Sequence, residues 1–339
     1  MNAITRQRRR ILLLALAGVL LLALAMTAGL SLGERFIPPA KALEALFLGT
    51  GDPGDVLVVG RFRAPRVLGA VTAGAGLATA GAILQRLARN PLASPDVIGI
   101  SGGASLGAVA AIAFGLAAPL TPLAALAGGL TAAGLLGLLS LRSGMSTTRL
   151  VLVGLAVQAG LTAAVNLIIV RFPAELASSA LHWTTGSLYG RNWTEILTGG
   201  TAVILALAVA LLLHRRLAVL ALGDDASGSL GLRPGTGRLQ LLTAAVVLAS
   251  LAVALTGPVG FVALAVPHLV RLLAGPPTAG TFALTALCGA LLLLGADLVV
   301  QHALPIHGLP VGVVTATVGA PWLLVLMSRQ TRPTLRTAP

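Results

Sequence analysis

Residues 61–85 read RFRAPRVLGAVTAGAGLATAGAILQ. No residue from Val67 to Leu84 is charged. A helix needs about 20 apolar residues to cross a bilayer, and a membrane strand only about 10 alternating ones. The run is too long and too uniformly apolar for a strand, so it reads as a membrane-spanning helix over 64–84. Ala70, Gly74, Ala78 and Ala82 recur every four residues. Small residues at that spacing line one face of a helix and let another backbone approach closely in lipid. The stretch therefore predicts a span in a tightly packed bundle.

The rest of the chain has the same character. Of its 339 residues, 56% are hydrophobic and 10% charged, with a mean hydropathy of +0.96. Soluble domains are nearer 45–50% apolar and about 25% charged, and disorder needs the opposite composition. At roughly 30–35 residues per span and connection, the chain holds on the order of ten spans and no sizeable soluble domain. Apolar runs and breakers place them at 11–30, 64–84, 97–117, 122–141, 150–170, 195–213, 238–256, 258–274, 280–300 and 311–328. The fold class expected is an all-α integral membrane protein, one ten-helix bundle over 11–328. Tails lie at 1–10 and 329–339, and a polar loop at 214–237. The first run reads as a span and not a cleaved signal, since it lacks a small-x-small exit.

The net charge of +13 does not point to nucleic acid. Only 3% of residues are aromatic, and the arginines sit at the ends of apolar runs, as positive charge does on cytoplasmic loops. With the N-terminus inside, Arg35, Lys41, Arg61, Arg63, Arg66, Arg171 and Arg191 fall outside, and the other Arg residues inside. An even number of spans puts both termini in the cytoplasm. Cys288 is the only cysteine, which excludes an intramolecular disulfide and a cysteine metal cluster. Lys41, the only lysine, follows Ala40, so no Gly-Lys-Ser/Thr phosphate loop exists. If ATP energises the chain, another polypeptide binds it. No metal or other cofactor is expected, and no protease or hydrolase constellation is present.

Five places invite a functional reading. Arg61, Arg63 and Arg66 lie on the side positive charge normally avoids; they could anchor in the interface or receive an acidic partner. In 85–105, Asn90-Pro91 and Ser94-Pro95 break the helix. The loop 214–237, with Asp224 and Asp225 suited to a helix N-terminus, is long enough to be functional. His268 beside Pro267 reads as structural. Asp297, ionisable within a span, reads equally as a structural pair or a path residue. His302 and His307 follow it, too few for a metal site. Residues 31–60, with Pro38-Pro39 ahead of a helical stretch, also predict a short surface helix over 40–47.

Together with 61–85, six stretches resemble one family in combination: NPLASPDVIGISGGA (90–104), HWTTGSLYGRNW (182–193), LGDDASGSLGL (222–232), GPVGFVALAVPHLVR (257–271), GALLLLGAD (289–297) and LPVGVVTATVGAPWLL (309–324). The chain resembles the FecCD family of ATP-binding-cassette importer permeases for iron–siderophores, haem and vitamin B12, over about 10–330, and looks closest to its ferric-enterobactin members. The resemblance implies the ten-helix type II importer permease fold. It implies pairing with a second FecCD-type permease, two copies of a cytoplasmic ATP-binding subunit and an extracytoplasmic siderophore-binding protein. Arg63 and Arg66 match the pair that receives acidic residues of that binding protein. Where some members carry a third arginine, this chain has Gln301, which leans towards a heterodimer with a non-identical partner. Gly223, Asp224, Asp225, Ala226, Leu230 and Gly231 match the coupling helix that enters the ATPase. Thr147 and Thr148 match the cytoplasmic gate, and Gln158 and Asn166, on span five, would line the path. The function implied is uptake of an iron(III)–siderophore chelate across the cytoplasmic membrane. A homodimeric haem or vitamin B12 importer is the alternative, and an ATP-independent carrier a more distant one.

Overall fold

A computed structural model describes residues 3–141, 147–173, 180–181, 183–303 and 308–330. Among them there is no strand. Helix α1 is Ala3–Ser31 and α2 is the short Pro39–Phe47. Helix α3 runs unbroken from Pro53 to Leu87, with wide turns at Val58–Arg63. Then follow α4 (Ile100–Ala113), α5 (Thr121–Leu141) and α6 (Thr147–Arg171). Helix α7 is Trp193–Leu220, with a wide turn at Ile196–Gly200. Last come α8 (Asp224–Ser229), α9 (Pro234–Thr256), α10 (Val262–Ala274), α11 (Ala279–His302) and α12 (Val311–Gln330).

Seven of these helices are long and apolar enough to cross a membrane, and Ile100–Ala113, Val262–Ala274 and Val311–Trp322 are shorter apolar segments. They correspond to the ten runs read from the sequence, with shifted ends. Residues 3–10, expected as a tail, are the first turns of α1. The helix expected at 97–117 covers only Ile100–Ala113, and that expected at 258–274 starts at Val262. Much of the loop expected at 214–237 is helical, because α7 continues to Leu220.

Helix α3 is the axis of the bundle. Its middle, from Ala73 to Gln85, is buried apart from Ala75. It touches α1 at Gly29 beside Val67, and α7 and α9 where Gly76 faces Val203, Leu248 and Ala252. It touches α11 where a Cβ on Gly74 would overlap the Gly289 carbonyl, and α10 where a Cβ on Gly81 would overlap the Ala263 carbonyl. Gln85 Nε2 donates to the Leu264 carbonyl at 3.0 Å, fixing α10 lengthwise. A second layer is built the same way: Gly103 and Gly107 of α4 meet the backbone of Gly128 and Ala124 of α5. Helix α6 packs on α4 where Gln158 fills the space at Gly102, and on the turn before α4 where Gly154 faces the Val97 carbonyl. By contrast α1 turns Leu12, Leu13, Leu16 and Leu20 outward, as a lipid-facing helix does.

Since backbone meets backbone at Gly81, no rotamer change makes room for a side chain there. Gly81→Val is expected to cost about 3 kcal/mol or more, whereas Gly134→Val, with nothing within 4 Å, should leave the thermal unfolding temperature in detergent nearly unchanged.

Candidate functional site

At the end of the bundle carrying Arg66, Asp52 opens α3. Its Oδ1 accepts from the Gly54 and Asp55 amides at 2.7 and 3.4 Å. Those amides, with Arg35 nearby, hold its carboxyl below the ordinary carboxylate range. Arg35 bridges Asp52 and Asp55 at 3.6 and 3.2 Å. Asn192 caps the next helix by accepting from the Glu195 amide at 3.0 Å, and Trp193 Nε1 donates to the Gly60 carbonyl at 2.5 Å. This ties the 183–193 segment to the wide turns of α3. Arg191 lies over the Trp183 ring and pairs with Glu195.

The two arginines singled out from the sequence are both engaged within the chain. Arg63 donates to the carbonyls of Leu30, Ser31 and Arg35 at 2.7–3.0 Å. It closes the turn after α1 while keeping its charge uncompensated by any of these partners. Arg66 makes a forked contact with Asp297, Nε to Oδ2 at 2.9 Å and Nη2 to Oδ1 at 2.8 Å. Gln301 Nε2 donates to the same carboxylate at 2.7 Å. The Asp297 side chain is 1% exposed and Arg66 is 19% exposed. The Asp297 question left open by the sequence is thus answered by pairing. Gln301, four residues on, lies on the same helix face; the match to Arg66, 231 residues away, leaves no local sequence signal. Arg61, next to the exposed Phe62, points outward and makes no hydrogen bond to the described residues.

At the opposite end, Gly223 at φ +101 turns the chain out of α7 into α8. Ser227 Oγ donates to Val219 and Gly223 carbonyls at 2.9 and 2.5 Å, pinning α8 against α7. Asp224 is held by Arg238 at 2.6 Å. Asp225, Ala226, Leu230 and Gly231 are exposed, Leu230 by 63% and neighbouring Leu222 by 64%. At the same end of the bundle, in the turn before α4, the Asp96 carboxyl takes a hydrogen bond from Ser101. Burial pushes it above the ordinary range, and the Ser101 hydroxyl opposes that shift.

On α6, Thr147 and Thr148 begin the helix, and their side chains lie outside the described residues. Gln158 fills the space left by Gly102, and its Oε1 is buried without a partner. Asn166 lies on the exposed face of the same helix. His268 Nδ1 is 2.7 Å from Arg271 Nη2, which donates to it. His302 is exposed, and His307 lies outside the described residues.

Comparison with known proteins is uniform along this framework. Residues 7–329 match the FecCD transport family. The chain belongs to that family. As a FecCD protein it is a transport protein and not an enzyme. It is 39% identical to the ferric enterobactin transport system permease protein FepG of Escherichia coli over 325 residues, 96% of this chain and 98% of FepG. It is 36% identical to the Fe(3+)-citrate import system permease protein YfmE of Bacillus subtilis, covering 98% and 99% of the two chains. A solved metal-chelate type ABC transporter in an inward-facing conformation superimposes with a TM-score of 0.82 at 29% identity, covering 93% of this chain and 98% of that one.

Two measurements follow from these contacts. Arg66→Ala strands the Asp297 carboxylate in the bundle and should cost about 3–5 kcal/mol. The double variant Arg66→Gln/Asp297→Asn should recover much of that loss in detergent unfolding. Asp96 holds its proton more tightly in the fold than in the unfolded chain, so its contribution is complete at low pH and declines as pH rises from the ordinary carboxylate range towards the raised value. Asp96→Asn should remove this decline, visible as unfolding temperatures compared from pH 4 to 8.

Proposed function

We propose that the chain is the permease subunit of an ATP-binding-cassette importer for a ferric siderophore chelate in the cytoplasmic membrane. The observation carrying this is the near-full-length likeness, in sequence and fold, to a ferric enterobactin permease and a metal-chelate type ABC transporter. The arginine bias orients it with both termini in the cytoplasm. The Arg66 end then faces the binding protein and the α8 end faces the ATPase. On this reading residues 1–339 form one permease unit.

The exposed α8 supports the coupling role. Leu222 and Leu230 flank Asp225 on its free surface, while Asp224 is occupied by Arg238. We assign the apolar anchors to Leu222 and Leu230 and the free carboxylate to Asp225; Gly223 and Gly231 shape the turns, and Ala226 lies on the same exposed surface. At the other end Arg63 supplies positive potential from within the fold, towards acidic groups of the binding protein, while Arg66, its charge matched by Asp297, holds that surface in place. Gln301 stands where some members carry a third arginine, and the docking charge missing from this subunit favours a second, non-identical permease as the dimer partner. Thr147 and Thr148 take the gate position. Asn166 suits the path, and Gln158 stands one layer behind it against α4. Transport is alternation of the paired bundles between outward- and inward-open states, biased by ATP binding to two partner subunits.

The test is reconstitution in liposomes with the partner permease, ATPase and binding protein. ATP-dependent uptake of the iron chelate is the expected result. Leu230→Asp should weaken ATPase association about thirtyfold, the factor of an interface hot spot of ~2 kcal/mol, and abolish ATP-driven uptake. Uptake that persists without any ATPase and follows an ion gradient would overturn the reading.

A further inference from the structure

Arg86 is the last-turn arginine of α3, at the end opposite Arg66. Its guanidinium lies 5.7 Å over the ring of Phe282, which is itself buried in α11. It makes no hydrogen bond to any described residue, so its N–H edge is free. Its neighbour Gln85 is bonded to the Leu264 carbonyl of α10 and Gly81 meets Ala263 of the same helix, and the charge from α10 that bears on Arg86 is that of Arg271. Arg271 is exposed and spends one N–H on His268. Of the carboxylates described at this end, Asp96 is engaged by Ser101, Asp224 by Arg238, and Asp225 faces out from α8. None bears on Arg86. Two like charges are thus held near one another, one of them partly desolvated, with no counter-charge supplied by the described chain. Such an arrangement is costly unless an anion completes it.

We propose that Arg86 and Arg271 form a site for the phosphate of an anionic phospholipid. A guanidinium stacked on an aromatic face keeps its forked edge for two phosphate oxygens. The surroundings select a lipid over a soluble anion. Leu272 and Leu273 are exposed beside Arg271. Gln7 of α1 donates to the Ala274 and Pro276 carbonyls, and Ile11 packs against Gly280. The exposed leucines of α1 therefore rise from the same place and offer a track for acyl chains. Arg8, Arg9 and Arg10 of α1 are exposed there too, adding the basic rim that attracts an anionic leaflet.

The site is independent of which chelate is carried, and its test does not use transport. The full-length chain, purified in detergent and stripped of lipid, is titrated with phosphatidylglycerol or phosphatidylcholine, and retained lipid is counted by native mass spectrometry. The expected result is preferential retention of phosphatidylglycerol, weakened about fivefold by Arg86→Gln and by Arg271→Gln separately, the factor for one cation near an anionic surface. Phosphatidylcholine retention should not change in any variant, and Arg216→Gln, near the same end of α7, should leave phosphatidylglycerol retention as it was. Arg86→Lys should fall between, having charge without the fork. If Arg86→Gln fails to fold, the exposed Arg271→Gln carries the test alone. Unchanged phosphatidylglycerol retention in the double variant overturns the proposal. So does thermal stabilisation by inorganic phosphate alone equal to that by the lipid, which would make it a free-anion site. Loss of ATPase capture with lipid retention intact also overturns it, assigning the arginines to a protein carboxylate.

Discussion

The fold depends on backbone meeting backbone along α3. In lipid there is no hydrophobic drive to press one apolar helix on another, so association rests on close packing. Gly74 against Gly289 and Gly81 against Ala263 bring α11 and α10 to within contact of the α3 main chain. Everything placed at the two ends follows from these crossings. Register at Gly74 brings Asp297, two turns beyond Gly289, level with Arg66, two turns before Gly74. Register at Gly81 puts Arg86 beside the last turns of α10. A helix with larger residues at these points would stand further off and at another level, and neither charged pair would form.

The Arg66–Asp297–Gln301 group shows how a charge is kept inside such a bundle. A buried ion pair contributes little net stability over an apolar substitute, yet removing one member is severe. Asp297 receives two donors from the Arg66 fork and a third from Gln301. A neutral amide at 301 fills the carboxylate's remaining acceptor capacity without leaving a second cation to be compensated. Arg63 is handled differently: three carbonyls at the end of α1 solvate it, so the positive potential at this surface survives.

Much of this was legible before any coordinates, and the exceptions have physical causes. The small-residue stripe from Ala70 to Ala82 identified α3 as a packing helix because every member faces a neighbour. Gly129, Ala133 and Gly137 of α5 have the same spacing, but only part of that row is used. Gly129 faces Ser250 of α9 while Gly137 has nothing within 4 Å, and α5 meets α4 through the adjacent Gly128 and Ala132; spacing alone does not say how far along a small face the contact runs. Arg63 and Arg66 stood out as charges in an unusual place, but their partners are carbonyls and a carboxylate distant in sequence. The helical start at Pro53 was hidden by Gly54, Asp55 and Gly60, residues that favour turns, until Asp52 is seen to cap it.

The shortened α10 illustrates the limit most clearly. Thirteen residues at 1.5 Å each span about 20 Å, less than the ~30 Å of a bilayer core, so one end stops inside. Backbone that stops there has no water to satisfy it and is tolerated only where protein covers it. The 183–187 segment does this. The Ser187 amide donates to the Thr256 carbonyl at 2.7 Å, and Gly186, at φ +73, lies against Pro258. Helix α12 closes the other side, its Gly312 amide donating to Gly186 and its Gly319 leaving room for Phe261. Phe261 itself holds φ +67, a conformation a bulky residue adopts only when its surroundings impose it. The apolar run 258–274 has a membrane-spanning composition because its turn is buried as deeply as a helix would be. Hydropathy reports that burial, and it cannot distinguish a span from a half-span whose broken end two other segments have covered.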